Sequence, residues 1–283
     1  MVAAGLSLIF GLMGVMNFAH GSFFLWGAYA WLEIFNRTGS FWLGLVAATA
    51  TGAVLGLVTE RIFMRPLYRR PLQQILATLG IGLVLNQLVI AVWGQNPQPI
   101  YSIPGLDSTV QSNGIIIPSY YLFMVAIGAI VLAGVWALLR YTRIGLIVRA
   151  GVENPVMVGA LGINVGRVFL GVFALGAALA ALGGAVYGPM QNAVTTDMGQ
   201  STLLLAIIVV VLGGLGSYVG SAVGALLIGL SQEYVPYYAL QVLPQGSALS
   251  PASLTSLASL ILLVLILLIR PQGLLGLKLE GHL

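Results

Sequence analysis

Apolar and polar positions along this chain are sorted into long blocks. Apolar runs fall at about residues 1–16, 18–35, 41–59, 75–92, 120–139, 168–187 and 253–269, with a longer, glycine-broken block at 201–232. Several approach the roughly 20 residues that a helix needs to cross the hydrocarbon of a bilayer, so the pattern predicts about eight or nine membrane elements. The expected fold class is an all-α, polytopic transmembrane helical bundle, with residues 1–283 forming a single transmembrane domain. In the broken block, "GGLGSYVG" (213–220) stands at the centre and leaves roughly a dozen apolar residues on each side, too few for either side to span alone. Irregular backbone at membrane depth is tolerated only where protein or a wet cavity satisfies its polar groups. The block therefore reads either as paired half-helices broken at Gly213, Gly214, Gly216 and Gly220, or as one long tilted helix.

Composition agrees with the pattern. The chain is 59% hydrophobic and only 6% charged, which leaves too few charges to coat a water-facing surface of this size. The net charge of +4 comes from scattered arginines and a single lysine, Lys278, without the basic stripe that a nucleic-acid surface needs. Cysteine is absent, which excludes disulfides, thiolate catalysis and cysteine-held metal. The first charge is Glu33, so the N-terminal run lacks the cationic flank of a secretory leader, and residues 1–16 are expected to belong to the mature bundle.

Cations near spans are retained on the cytoplasmic side. Arg61, Arg65, Arg69 and Arg70 share one connector, Arg140, Arg143, Arg149 and Arg167 share another, and Arg270 and Lys278 follow the last span. All of these fit on one side, which makes 140–167 a cytoplasmic loop and the C-terminus cytoplasmic. Arg37 is left outside, where Glu33 stands one helical turn earlier and can pair with it. The cation-free stretch 93–119 and the region around Glu233 to Pro251 then face outward. For both to do so, the 201–232 block must cross an even number of times or re-enter, which favours the broken reading.

Chemistry for catalysis is missing. The histidines, His20 and His282, are far apart, and no metalloprotease, nucleophile-elbow or phosphate-loop pattern occurs. No cofactor or metal site is predicted, and the chain is not expected to be an enzyme. A gradient-driven carrier or channel is the rival class. Such proteins commonly carry acids within spans, whereas Glu33, Glu60 and Glu153 read as helix-end or loop residues. For a translocation route the candidates are Asn17 and His20 in "NFAHG", Asn86 and Gln87 in "LVLNQLV", and Gln191 and Asn192 in "MQNAV". Their polar groups are costly against lipid and should face helices or water. Interhelical hydrogen bonding is the competing role for each.

The connector "RAGVENPVMVGALGINVGR" (149–167) is punctuated as a short helix. Asn154 can cap free N–H groups, Pro155 suits the first helical position, and Gly162 is a matching stop. Met157, Ala160 and Leu161 fall at i, i+3 and i+4 and form an apolar stripe on a helix of seven residues, about 10 Å long. Asn164 caps the next span, and Arg149 and Glu153 flank the short helix. Such a stripe either folds back on its own bundle or docks a soluble partner.

The blocks "GLSLIFGLMGVMNFAHGSFFLWGAY" (5–29), "RPLYRRPLQQILATLGIGLVLNQLVIAVWG" (65–94), "TRIGLIVRAGVENPVMVGALGINVGRV" (142–168), "VVLGGLGSYVGSAVGALLIGL" (210–230) and "RPQGLLG" (270–276) resemble, in order, the permease subunits of branched-chain amino-acid ABC importers. Related urea and amide importers share these blocks. The resemblance implies half of a translocation pathway in a bacterial or archaeal cytoplasmic membrane. The implied partners are a second homologous permease, as hetero- or homodimer, two cytoplasmic ABC ATPase subunits, and an extracytoplasmic solute-binding protein. It also makes 149–164 the coupling segment that meets the ATPase. Few fixed charges stand in the spans, so selectivity is expected to lie mainly in the solute-binding protein.

Overall fold

The structure, a computed structural model, describes residues 1–14, 16–68, 70–100, 103, 105–112, 115–153, 155–242 and 250–276. Asn154, Lys278 and His282 lie outside the described residues. So do Arg69 and the side chains of Glu153 and Pro155. The helices in chain order are α1 Val2–Met13, α2 His20–Thr38, α3 Phe41–Thr59, α4 Pro71–Trp93, α5 Ser119–Tyr141, α6 Arg143–Glu153, α7 Pro155–Ala160, α8 Val165–Met190, α9 Met198–Gly213, α10 Tyr218–Val242 and α11 Pro251–Ile269. The fold is an all-α bundle with two minor antiparallel pairs. Strand β1 (Gln98–Pro99) pairs with β4 (Ala193–Val194), and β2 (Thr109–Ser112) pairs with β3 (Ile115–Pro118).

By length and composition, α3 with its continuation to Leu67, α4, α5 and α8 each suffice to cross a membrane. Helices α9 and α10 pass the same test together as a bent pair. Helix α8 is the hub. In its run "LGAALAALGGAVYG", Gly176, Ala177, Ala181 and Gly184 leave room for α1, α2 and α3 to press against its backbone. A Cβ on Gly27 would lie 2.1 Å from the Ala181 carbonyl oxygen, and one on Gly184 only 2.0 Å from that of Phe24. Small faces of this kind let helices associate where lipid removes the hydrophobic drive. Helix α2 runs through the middle and is buried from His20 to Leu32 apart from Trp26 and Ala30. Phe23, Phe24, Tyr29 and Trp31 form its aromatic core with Phe173 of α8. In contrast, α4 and α5 are hardly buried and form the rim.

The glycine-rich block is broken. Helices α9 and α10 meet at 117° across residues 214–217, with Gly214 at φ 106° and Gly216 at φ 78°, both in the region that favours glycine. The second element runs on to Val242, ten residues past the apolar block, so it is longer than the half-helix expected from hydropathy alone. The carbonyls left free at the end of α9 are taken up from elsewhere in the chain. Leu274 N–H donates to Leu212 O at 2.9 Å and Leu275 N–H to Gly213 O at 3.0 Å. The "RPQGLLG" segment thus closes the break.

Arg65, Arg140, Arg149 and Arg167 gather at one end. The Arg65 guanidinium and the Asn164 side chain both come within 3.3 Å of where a Cβ on Gly166 would stand. Arg140 and Arg149 line a small cavity with Ser217 and Tyr218 beside the break. At the opposite end the β1–β4 pair ties the 93–119 loop to the end of α8. There Arg37 Nε donates to Glu33 Oε1 at 2.6 Å, and Trp93 Nε1 donates to Glu33 Oε2 at 3.1 Å. The expected Glu33–Arg37 pair therefore forms.

Candidate functional site

The 140–167 connector is more ordered than its punctuation predicts. An unforeseen eleven-residue helix, α6, precedes the short one, because Ile144, Ile147 and Val148 repeat at helical spacing. The short helix α7 has six residues, one fewer than expected, and begins at Pro155. Gly162 ends the turn at φ 80°, with its N–H donating to Gly159 O at 3.0 Å while Leu161 N–H donates to Met157 O at 3.2 Å. Asn164 then caps α8, its Oδ1 accepting from Arg167 N–H at 3.2 Å. Val158 is the inward residue of α7, 4% exposed. Met157 and Leu161 stand outward at 60% and 74%. Ala160 is exposed beside them, so the stripe faces away from the chain's own bundle. Arg149 is exposed on α6.

The six translocation candidates do not form one group. Asn17 and His20 are buried where α1 meets α2. Asn17 Oδ1 accepts from Ala19 N–H at 3.0 Å, which starts α2. His20 Nε2 lies 3.0 Å from the Val2 carbonyl, an acceptor, so that nitrogen carries the proton. Among the described residues, His20 Nδ1 and Asn17 Nδ2 have no hydrogen-bond partner. Gln191 and Asn192 sit at the end of α8. Gln191 Nε2 donates to Tyr187 OH at 2.9 Å, and the Asn192 carbonyl accepts from Ile100 N–H at 2.9 Å. Gln87 is exposed on the outer face of α4. Its neighbour Asn86, about 100° around the helix, faces inward and donates to Thr196 O at 3.3 Å.

Asn86 lines a cavity of about 270 Å³ between α2, α4 and α9, together with Phe18, Ser22, Leu83, Gln200 and Leu203. Ser22 Oγ donates to Gly82 O at 2.9 Å across it. The mixture of apolar wall and a few polar groups suits a small polar-apolar solute. Ser22 and Gln200 are members that sequence reasoning missed; the criterion that found Asn86, a polar group in an apolar run, applies to Ser22, whereas Gln200 stands just before the 201–232 block.

A second missed feature is Glu60. Read from the sequence as a helix-end residue, it is 1% exposed. Residues Glu60–Met64 form a π-helical turn that continues α3, with Glu60 and Met64 buried. There the Tyr68 hydroxyl donates to Glu60 Oε1, and the Tyr68 ring packs on Phe169 of α8 at 5.1 Å. Burial, then the Glu60 carboxylate, holds the Tyr68 hydroxyl well above its ordinary range, so it keeps the proton that it donates. Through the Tyr68 ring, the connector that bears Arg61 and Arg65 packs against α8.

The family model described as "Branched-chain amino acid transport system / permease component" matches residues 1–269. The high-affinity branched-chain amino acid transport system permease protein LivH of Escherichia coli (strain K12) is 29% identical over 254 residues, covering 84% of this chain and 82% of that protein. BraD of Pseudomonas aeruginosa, a permease protein of the same description, is 27% identical over 247 residues, covering 83% and 80%. LivM, also from Escherichia coli (strain K12), is 28% identical over 263 residues, covering 81% of this chain and 59% of that longer protein. No solved structure matches.

Proposed function

The chain belongs to the branched-chain amino acid transport system permease family, and on that footing we propose that it forms half of the membrane path of an ATP-driven importer for branched-chain or other hydrophobic amino acids. It is a multi-pass membrane protein and a permease component. In this reading it stands in the cytoplasmic membrane of a bacterium or archaeon. The 140–167 connector and the C-terminus face the cytoplasm and residues 93–119 face out.

The observation that carries the proposal is the exposed stripe of Met157, Ala160 and Leu161 at the arginine-rich end of the molecule. A side chain such as Leu161, three-quarters exposed in the turn that ends α7, is an anchor for a partner's pocket. The partner of this reading is an ABC ATPase, one for each permease half. Movement of α7 reaches α8 through the Gly162–Asn164 turn and reaches α3 through the Tyr68–Glu60 bond. The second permease is homologous. LivH and LivM, two permease proteins of one organism, are both similar to this chain, which supports a pair of related halves. Helix α4, hardly buried in the single chain and lining the Asn86 cavity, is the face on which that second half would close the path.

Among the described residues, the cavity brings no carboxylate or arginine to a zwitterionic solute, so contact with substrate is weak here and selectivity belongs to a solute-binding protein. Uptake by proteoliposomes holding both permeases tests the reading. Transport of leucine should require ATPases, ATP and the binding protein together. Uptake that persists without the ATPases, driven by an ion gradient, would overturn it. Replacing the binding protein should change the substrate while the permeases stay the same.

A further inference from the structure

A cavity of about 450 Å³ lies between α1, α5, α6 and α8 and shares no lining residue with the Asn86 cavity. Its walls are apolar, with Leu8, Leu138, Ile144, Val148 and Val172 among them, and Arg167 is the one charged group among the described residues lining it. Arg167 is exposed in the first turn of α8. Among the described residues no carboxylate lines the space, so an amino acid there would leave its ammonium unpaired by them, at a cost that burial does not return. What fits is an apolar chain ending in an anion.

The surroundings set its depth. Helix α5, one wall, is hardly buried within the chain and presents Val125 and Ile130 at 72% and 70% exposure. At its end Tyr141 is 72% exposed, and the Arg140 guanidinium stands 5.7 Å from the centre of the Trp136 ring. Exposed Trp and Tyr beside arginine mark the boundary between hydrocarbon and headgroups. Helix α6 follows directly, with Ile144 and Leu146 each 61% exposed and Arg143 and Arg149 exposed beside them. That is the make-up of a helix lying in the interface.

We propose that this crevice holds an acyl chain of an anionic phospholipid from the leaflet on the arginine side, with Arg167 at the mouth binding the headgroup phosphate. A guanidinium matches a phosphate with two parallel hydrogen bonds, and neighbouring arginines on α6 add to the attraction of an anionic surface. The bound lipid wedges α6 against α8 and so braces the segment that leads into α7.

The full chain, reconstituted in phosphatidylcholine vesicles doped with phosphatidylglycerol carrying a photoreactive group in its acyl chain, tests this. Label is expected on the α5, α6 and α8 peptides that line the crevice. A Cβ on Gly171, which lines the cavity, would meet nothing within 4 Å. In Gly171→Phe the ring can therefore enter the space without moving the backbone, and the label should be lost. Arg167→Gln should lower the preference for phosphatidylglycerol over an equally photoreactive phosphatidylcholine by about fivefold, while labelling by the neutral lipid stays. Undiminished label in Gly171→Phe, or equal labelling of the parent chain by the two lipids, overturns the proposal. So does a crevice that reacts with neither lipid but crosslinks to a second permease chain.

Discussion

The backbone N–H of Leu275 donates to the carbonyl of Gly213 at 3.0 Å, so the segment after the last helix caps the helix end at which the chain turns back. Helix C-termini leave carbonyls unsatisfied, and the positive-φ turn at Gly214 and Gly216 does not supply partners for all of them. The cap comes from about sixty positions further along the chain.

Removing that donor should be costly. Proline at 275 has no N–H, and Leu275→Pro leaves a carbonyl of a buried residue unpaired, for a loss of about 1–3 kcal/mol. Leu275→Ala keeps the donor and trims a side chain that is 49% exposed, so it should melt close to the parent. Thermal unfolding in detergent compares the two, and equal melting temperatures would mean that the segment does not support the break.

Buried Glu60 and half-buried Tyr68 give an asymmetric pair of variants. Tyr68→Phe strips the donor from a carboxylate that is 1% exposed and should cost about 1–3 kcal/mol or more. Glu60→Gln still accepts from the hydroxyl and removes the buried charge, so it should be much milder. The same melting assay checks the order, and a Glu60→Gln variant less stable than Tyr68→Phe would contradict this account of the pair.

Filling the Asn86 cavity separates transport from coupling. A Cβ on Gly82 would find only ordinary contacts, the nearest being Phe18 O at 3.4 Å, so Gly82→Phe should fold with its ring across the space. Uptake in proteoliposomes should fall to background while ATP hydrolysis by the assembled complex continues. Normal uptake would remove this cavity from the path.

Because the chain contains no cysteine, single cysteines report sidedness directly. Gln111→Cys, on exposed β2, should react with an impermeant maleimide in intact spheroplasts. Leu161→Cys should react only after the membrane is opened. The reverse pattern would invert the orientation argued from the arginines.

Long apolar runs disclosed most of the bundle, because burial in lipid leaves a continuous signal whatever the neighbours are. Gly162 and Asn164 were equally legible, since a left-handed stop and an N-cap depend on one residue each. Helix α6 was hidden by its charges, although Ile144, Ile147 and Val148 keep helical spacing. Asn86 and Gln87 looked equivalent because adjacent residues differ only in which face they occupy, and only packing decides that. Glu60 does stand at the end of α3, as its position in the sequence suggested, but its burial was not legible, because only the packing of Tyr68 and α8 decides it. The cap on the break was invisible for another reason, since backbone N–H groups carry no mark of the distant carbonyl that they will meet.

The most direct measurement is ATP hydrolysis by the ATPase subunits bound to Met157→Asp and Leu161→Asp permeases, alongside co-purification and melting. Both side chains are exposed, so each variant should fold and melt like the parent. Each should lose the ATPases on purification and show no stimulated hydrolysis. Variants that retain bound ATPase and normal stimulation would contradict the assignment of α7 as the element through which the ATPases act.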